Sequence, residues 1–141
     1  LAIWKDFCTY HQIELTLHSI ESVRKEYDEG MMRTAQLDRL IGCLGAASRV
    51  ALDLAHSGLA LHLTELARGS GQDRQLAVTS YLPGQYARLA LGLRACGAQD
   101  SEIHTLFGLV HPDILPPAEL DEILPDQAQS ILRHSDAGVG R

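Results

Sequence analysis

Histidine and glutamate residues recur at helical spacing in two segments of the chain. The stretch "HQIELTLHSIE" places His11, Glu14 and His18 three or four residues apart, which puts them on one helix face. His62 and Glu65 repeat the spacing later in the chain. Facing helices can assemble a metal site from such side chains. Because histidine precedes glutamate here, opposite to the order in di-iron bundles, we interpret both runs as solvated faces and keep a zinc or iron site as the alternative.

Other patterns that would indicate catalysis are missing from the sequence. There is no glycine-rich phosphate loop following a strand and no strained nucleophile turn. Cys8, Cys43 and Cys96 are odd in number and far apart in apolar surroundings, which predicts reduced, buried thiols. We therefore expect a protein that is not an enzyme and has no cofactor.

Composition and charge limit the fold and the partners. The 141 residues are 45% apolar but only 5% aromatic, and leucine and alanine dominate, which favours an all-α fold around one core. A net charge of -6 argues against a broad electrostatic grip on nucleic acid or on an anionic membrane. No apolar run reaches the roughly 20 residues of a membrane span, and the first residues lack the pattern of a signal peptide. These features predict a cytoplasmic protein that does not bind membranes.

The first half of the sequence predicts a long antiparallel helical hairpin, residues 1–68. An apolar stripe at alternating three- and four-residue steps covers residues 3–27, and a second one covers residues 37–66. Gly42, Gly45 and Ala46 make the middle of the second helix thin, so that another backbone can approach closely. We interpret this point as a crossing, either within the chain or at a homodimer interface.

The second half predicts a compact helical unit, residues 84–134. The residues 69–83, which begin with "GSGQD", are interpreted as a flexible linker and a short turn. A helix over 85–98 and another over 102–108 are expected, followed by an amphipathic stretch that Pro125 interrupts. The residues 135–141 are expected to form a disordered tail.

The stretch "EIHTLFGLVHPDI" resembles the helix-turn-helix of bacterial regulators and resolvases. The resemblance covers residues 84–116 and implies a core-facing set, a glycine turn and anchors for a second helix, at Ile103, Leu106, Phe107, Gly108, Leu109 and Ile114. The second helix would run only from His111 to Leu115, because Pro116 follows. Neither Lys nor Arg occurs between Arg94 and Arg133, so direct reading of DNA is disfavoured.

These observations lead to one main hypothesis and two alternatives. The main one is a bacterial regulatory protein, related to transcription, that forms a homodimer and acts through its helix-turn-helix-like unit on a protein partner, with DNA as a possible second partner. The residues expected to contact the partner are His104, His111, Asp113, Arg88 and Arg94. The first alternative is a helical adaptor or chaperone that binds a protein segment in a groove between helices. The second is the metal-binding bundle.

Overall fold

Helices account for all the regular secondary structure in the part of the chain that the structure describes. The computed structural model describes residues 32–139, so the predicted first helix and its His11, Glu14 and His18 lie outside the described residues. The all-α prediction is confirmed within this range. The elements are α1 (Arg33–Leu44), a first 3-10 helix (Gly45–Leu52), α2 (Leu54–Ser57), α3 (Leu59–Ser70), α4 (Arg74–Thr79), α5 (Tyr86–Ala95), α6 (Asp100–Val110), a second 3-10 helix (Ala118–Glu122) and α7 (Pro125–Val139).

The described residues fall into two units, of which the second begins at residue 36. In the second unit, α5 is central, because it packs against α3, α6 and α7. Its core is aliphatic with one phenylalanine, and the members with the largest side chains are Leu66, Leu89, Leu93, Ile103, Leu106, Phe107 and Leu120. The predicted linker at 69–83 therefore lies inside one packed unit.

The segment predicted as the second arm of a long hairpin is not one helix. Gly45 ends α1 with a φ of 53°, and Gly58 separates α2 from α3 with a φ of 75°. Both values lie in the left-handed region that favours glycine and stops an α-helix. Asp53 then starts α2 as its N-cap, accepting a hydrogen bond from the Ala55 amide at 3.1 Å. The prediction of a continuous helix over residues 37–66 was therefore wrong.

The "GSGQD" segment is a packed turn rather than a flexible linker. α3 continues to Ser70, which is fully buried, and Gly71 caps it with a φ of 70°. Gln72 is also buried and donates to the Ser70 hydroxyl at 2.9 Å, while Asp73 caps α4. A Cβ at Gly69 would lie 2.7 Å from the Cys96 sulfur, so this glycine is needed for close packing.

The helix-turn-helix outline departs from prediction at its turn. α6 continues through Gly108 to Val110, and Gly108 has no positive φ. The chain then makes a β-turn in which the Ile114 amide donates to the His111 carbonyl at 2.9 Å, with Pro112 at the second position. No helix forms between 111 and 117, because Leu115 precedes Pro116 and that position disfavours helical backbone. The predicted second helix was wrong.

The C-terminal helix α7 begins at Pro125, the residue that was expected to interrupt it. Proline suits a first helical position, where its missing amide hydrogen is not needed. The predicted disordered tail was wrong for residues 135–139, which continue α7. Arg88 of α5 secures this end, since its guanidinium donates to Asp136 at 2.7 Å and to the Ser135 hydroxyl at 3.1 Å.

Candidate functional site

Two buried polar residues of α3 hold the first 3-10 helix in place. The His62 side chain is fully buried, and its Nδ1–H donates to the Leu52 carbonyl at 2.9 Å. Its Nε2 accepts from the Tyr81 hydroxyl. One turn further on, Glu65 Oε1 accepts from the Ser48 hydroxyl at 2.9 Å. The pair predicted as a solvated face, or alternatively as metal ligands, instead positions the neighbouring segment.

Burial controls the charge of these groups. It lowers the pKa of His62 despite opposing backbone hydrogen bonds, which favours the neutral ring that the two bonds require. It raises the pKa of Glu65, with the Ser48 hydrogen bond opposing the rise. Burial, helped by the nearby Glu65 carboxylate, also raises the pKa of the Cys96 thiol to about 12, so that this thiol stays protonated and unreactive.

An open apolar groove of about 420 Å³ lies between the segment that His62 positions and α6. The residues on the first wall are Arg49, Val50, Leu52, Asp53, Leu54 and Ala55; Leu93 and Ala98 also line the groove, and the α6 wall consists of Ser101, Glu102, Thr105, Leu106 and Leu109. Val50 is 72% exposed and Leu109 is 58% exposed. The groove thus presents uncovered aliphatic side chains from both walls.

The two walls of this Val50–Leu109 groove are supported differently. The α6 wall is anchored in the core by Ile103, Leu106 and Phe107, which are buried as the sequence predicted. The opposite wall is joined to α6 by an ion pair, in which Arg49 Nη2 lies 2.7 Å from Glu102 Oε2. Leu109, predicted to anchor a second helix, has no such role, and its exposure leaves the groove open.

The two arginines expected to contact a partner are used within the fold. Arg88 pairs with Asp136, and its side chain is only 14% exposed. Arg94 pairs with Asp100 and donates to the Ala98 carbonyl at 3.1 Å, with a side chain 12% exposed. Neither guanidinium is directed to solvent for a phosphate contact.

The other expected contact residues differ in their exposure. His104 is exposed on α6, and Asp113 is exposed in the turn beyond it. His111 is half-buried, with its ring edge-on to that of Tyr86 at a centroid distance of 4.7 Å. Only His104 and Asp113 of the predicted set therefore remain as free, exposed polar groups near the C-terminal half of α6.

The residues predicted at a dimer contact have different surroundings. Gly42 faces the Arg68 guanidinium, because a Cβ placed there would lie 3.2 Å from Arg68 Nη2. Arg68 itself pairs with Asp38 at 3.3 Å. Gly45 and Ala46 are exposed. The small side chain at Gly42 thus accommodates an arginine of the same chain, and the homodimer stays a prediction.

Comparisons with known proteins give no match, so the function is inferred from the groove. Neither a family model, nor a curated protein, nor a solved structure matches this chain. Among residues 32–139, no cluster of three or more potential metal ligands is found, and no helix is long and apolar enough to cross a membrane. Residues 32–139 thus form an all-helical fold with an open, apolar interhelical groove. The sequence signal that could have revealed it is Val50, an apolar residue between polar and small neighbours.

Proposed function

We propose that residues 36–139 form a protein-interaction module of a regulatory protein, and that the Val50–Leu109 groove binds the apolar face of a partner helix. The observation that carries this proposal is the exposure of aliphatic side chains on both walls of one concave site. Amphipathic helices bind in such grooves through apolar residues at positions i, i+3, i+4 and i+7. The module would thus act as an adaptor, that is, by binding a helix of another protein.

The regulatory role draws support from the pair α5 and α6. These helices are joined by the short turn Cys96–Gln99, in which Gly97 has a φ of 81°. Two helices joined by a short glycine-containing turn are typical of a helix-turn-helix. Residues 111–117 form no DNA-recognition helix, and the two nearby arginines, Arg88 and Arg94, are used in ion pairs within the fold. We therefore expect the module to act through a protein partner and any DNA contact to be made by that partner.

The groove can be tested with a designed helical probe and nuclear magnetic resonance. A 16-residue peptide of leucine and alanine, with glutamine on its polar face, is titrated into the isotope-labelled protein. We expect amide shifts to change on both walls, at residues 49–55 and 101–109. Shifts confined to other surfaces, or none at all, would contradict the proposal.

A matched pair of variants sharpens the test. Leu109→Gln removes an apolar side chain at the groove, and Leu82→Gln does so at a position that is similarly exposed (55%) and does not line it. Covering the exposed three fifths of Leu109 is worth about 1 to 2 kcal/mol, so the probe should bind about tenfold more weakly to Leu109→Gln. Leu82→Gln should bind like the unmodified protein. Equal losses in both variants would show that the probe does not use the groove.

A further inference from the structure

We infer that the groove selects a partner helix that is basic at one end, with that end lying against the C-terminal end of α6. This inference rests on the proposed function and adds the charge and the orientation of the bound helix. It follows from an electrostatic difference between the two ends of the groove.

At the N-terminal end of α6, each described carboxylate next to the groove already has a hydrogen-bond or ion-pair partner. Glu102 accepts from Arg49 at 2.7 Å and also from the backbone amide of Gln99 at 2.7 Å. Asp100 pairs with Arg94. Asp53 on the opposite wall caps α2 and contacts the His56 ring at 2.7 Å. A cationic side chain of the partner therefore gains little binding energy at this end, because the carboxylates there already have partners within the fold.

Beyond the C-terminal end of α6, the carboxylates have no partner in the part of the chain that the structure describes. Five of them occur without an intervening cation, and all five are exposed: Asp113, Glu119, Asp121, Glu122 and Asp126. None has an ion-pair or hydrogen-bond partner among residues 32–139. The free carbonyl groups of a helix C-terminus add further negative potential at the same end. The five belong to the segment 113–126, here called the acidic ledge, which contains no Lys, Arg or His and is therefore negatively charged.

The acidic ledge begins within reach of the groove. Asp113 follows Leu109 by four residues, so their Cα atoms are at most about 14 Å apart. A helix of 16 residues is about 24 Å long and can cover both. Leu115, which is 82% exposed, adds an apolar side chain to the ledge. A helix that places leucines in the groove can thus bring its next turn within reach of Asp113, the first carboxylate of the acidic ledge.

The experiment compares three helical probes with the same leucines on the intact chain. The first has glutamine on its polar face, the second has four lysines at its C-terminal end, and the third has them at its N-terminal end. Each lysine probe should bind three- to tenfold more tightly than the glutamine probe at low salt, because a few surface ion pairs each contribute a small gain. The advantage should disappear at 1 M salt, where the Debye length is about 3 Å.

Orientation provides a second readout. A nitroxide label beside the lysines should broaden amide signals of residues 109–115 with both lysine probes, since charge rather than chain direction sets the orientation. Asp113→Asn should reduce the lysine advantage about twofold, and asparagine suits the same turn position. Asp38→Asn, which changes the net charge equally at an ion pair on α1, should leave it unchanged.

The outcomes separate this inference from the proposed function. If all three probes bind the groove equally, or if the label broadens residues 101–102 instead, the charge selection is wrong while the groove stands. If the Asp38 and Asp113 variants lose the same amount, the attraction comes from net charge and the inference is also wrong. If no probe shifts the groove residues, the proposed function fails and this inference fails with it.

Discussion

Replacing Gly108 by alanine tests whether α6 is one continuous helix. Gly108 lies inside Asp100–Val110, its φ is not positive, and a Cβ there meets no atom within 4 Å. Alanine should therefore fit without strain and remove the conformational freedom that glycine has in the unfolded chain. In an exposed helix interior this change stabilises by about 0.5 to 1 kcal/mol.

Gly97 provides the matched control. A Cβ there also has no neighbour within 4 Å, but its φ is 81°. The same substitution at Gly97 should destabilise by about 1 to 2 kcal/mol, because only the backbone conformation differs between the two sites. Steric crowding therefore cannot explain an opposite sign.

Urea unfolding followed by circular dichroism at 222 nm measures both variants. The urea midpoint should rise for Gly108→Ala and fall for Gly97→Ala, with unchanged slopes. A loss of stability in Gly108→Ala as large as that in Gly97→Ala would show that Gly108 occupies a turn. The helix-turn-helix would then have the form predicted from sequence, and α6 would end earlier.

Further substitutions probe the buried contacts around α3. His62→Phe should destabilise by about 1 to 3 kcal/mol, because the Leu52 carbonyl loses its buried donor, and chemical denaturation measures this. Burial lowers the pKa of His62 in the folded protein below the ordinary value of 6.5, so on acidification the unfolded chain binds the proton first. The free energy of unfolding should therefore fall as the pH drops below about 6.5 toward the folded pKa. His62→Phe should show a weaker fall over the same pH range. Gly69→Ala should destabilise by about 1 to 3 kcal/mol through the 2.7 Å approach to the Cys96 sulfur, and Cys96→Ala should recover part of that loss; strictly additive effects would contradict the contact. Arg88→Met should loosen the end of α7, which faster amide exchange at residues 133–137 would reveal, and exchange unchanged from the unmodified protein would show that the Asp136 ion pair is not needed.

The helical class and much of the core were accessible from the sequence. The periodic spacing of Ile103, Leu106 and Phe107 identified the buried face of α6, because apolar side chains three or four residues apart must share a face. Such periodicity does not show where a helix stops. The glycines at 45 and 58 have positive φ values and break a region with a continuous apolar stripe, and the periodicity does not show which glycines adopt that conformation.

The candidate site was less accessible, since its polar supports look like surface residues in the sequence. His62 and Glu65 have the spacing of a solvated face, yet both are buried, and their partners Leu52 and Ser48 lie 10 and 17 residues away. Pairings at such separations cannot be read from one segment. A hint was present in "LALHLTELA", where four of the helix neighbours of His62 are leucines, at positions 59, 61, 63 and 66.

The two walls of the groove are therefore stabilised by different forces. α6 contributes several large side chains to the core, whereas the first 3-10 helix buries only Ser48 and Ala51. Hydrogen bonds from α3, the ion pair of Arg49 with Glu102 and the partial burial of Leu52 hold that helix in place. Because each such polar contact contributes only about 1 kcal/mol net, we expect displacement of this wall to cost less than displacement of α6. In the proposed complex, a partner helix would pack against α6 on one side and against the more easily displaced 3-10 helix on the other. The width of the groove could then adapt to the side chains that bind in it.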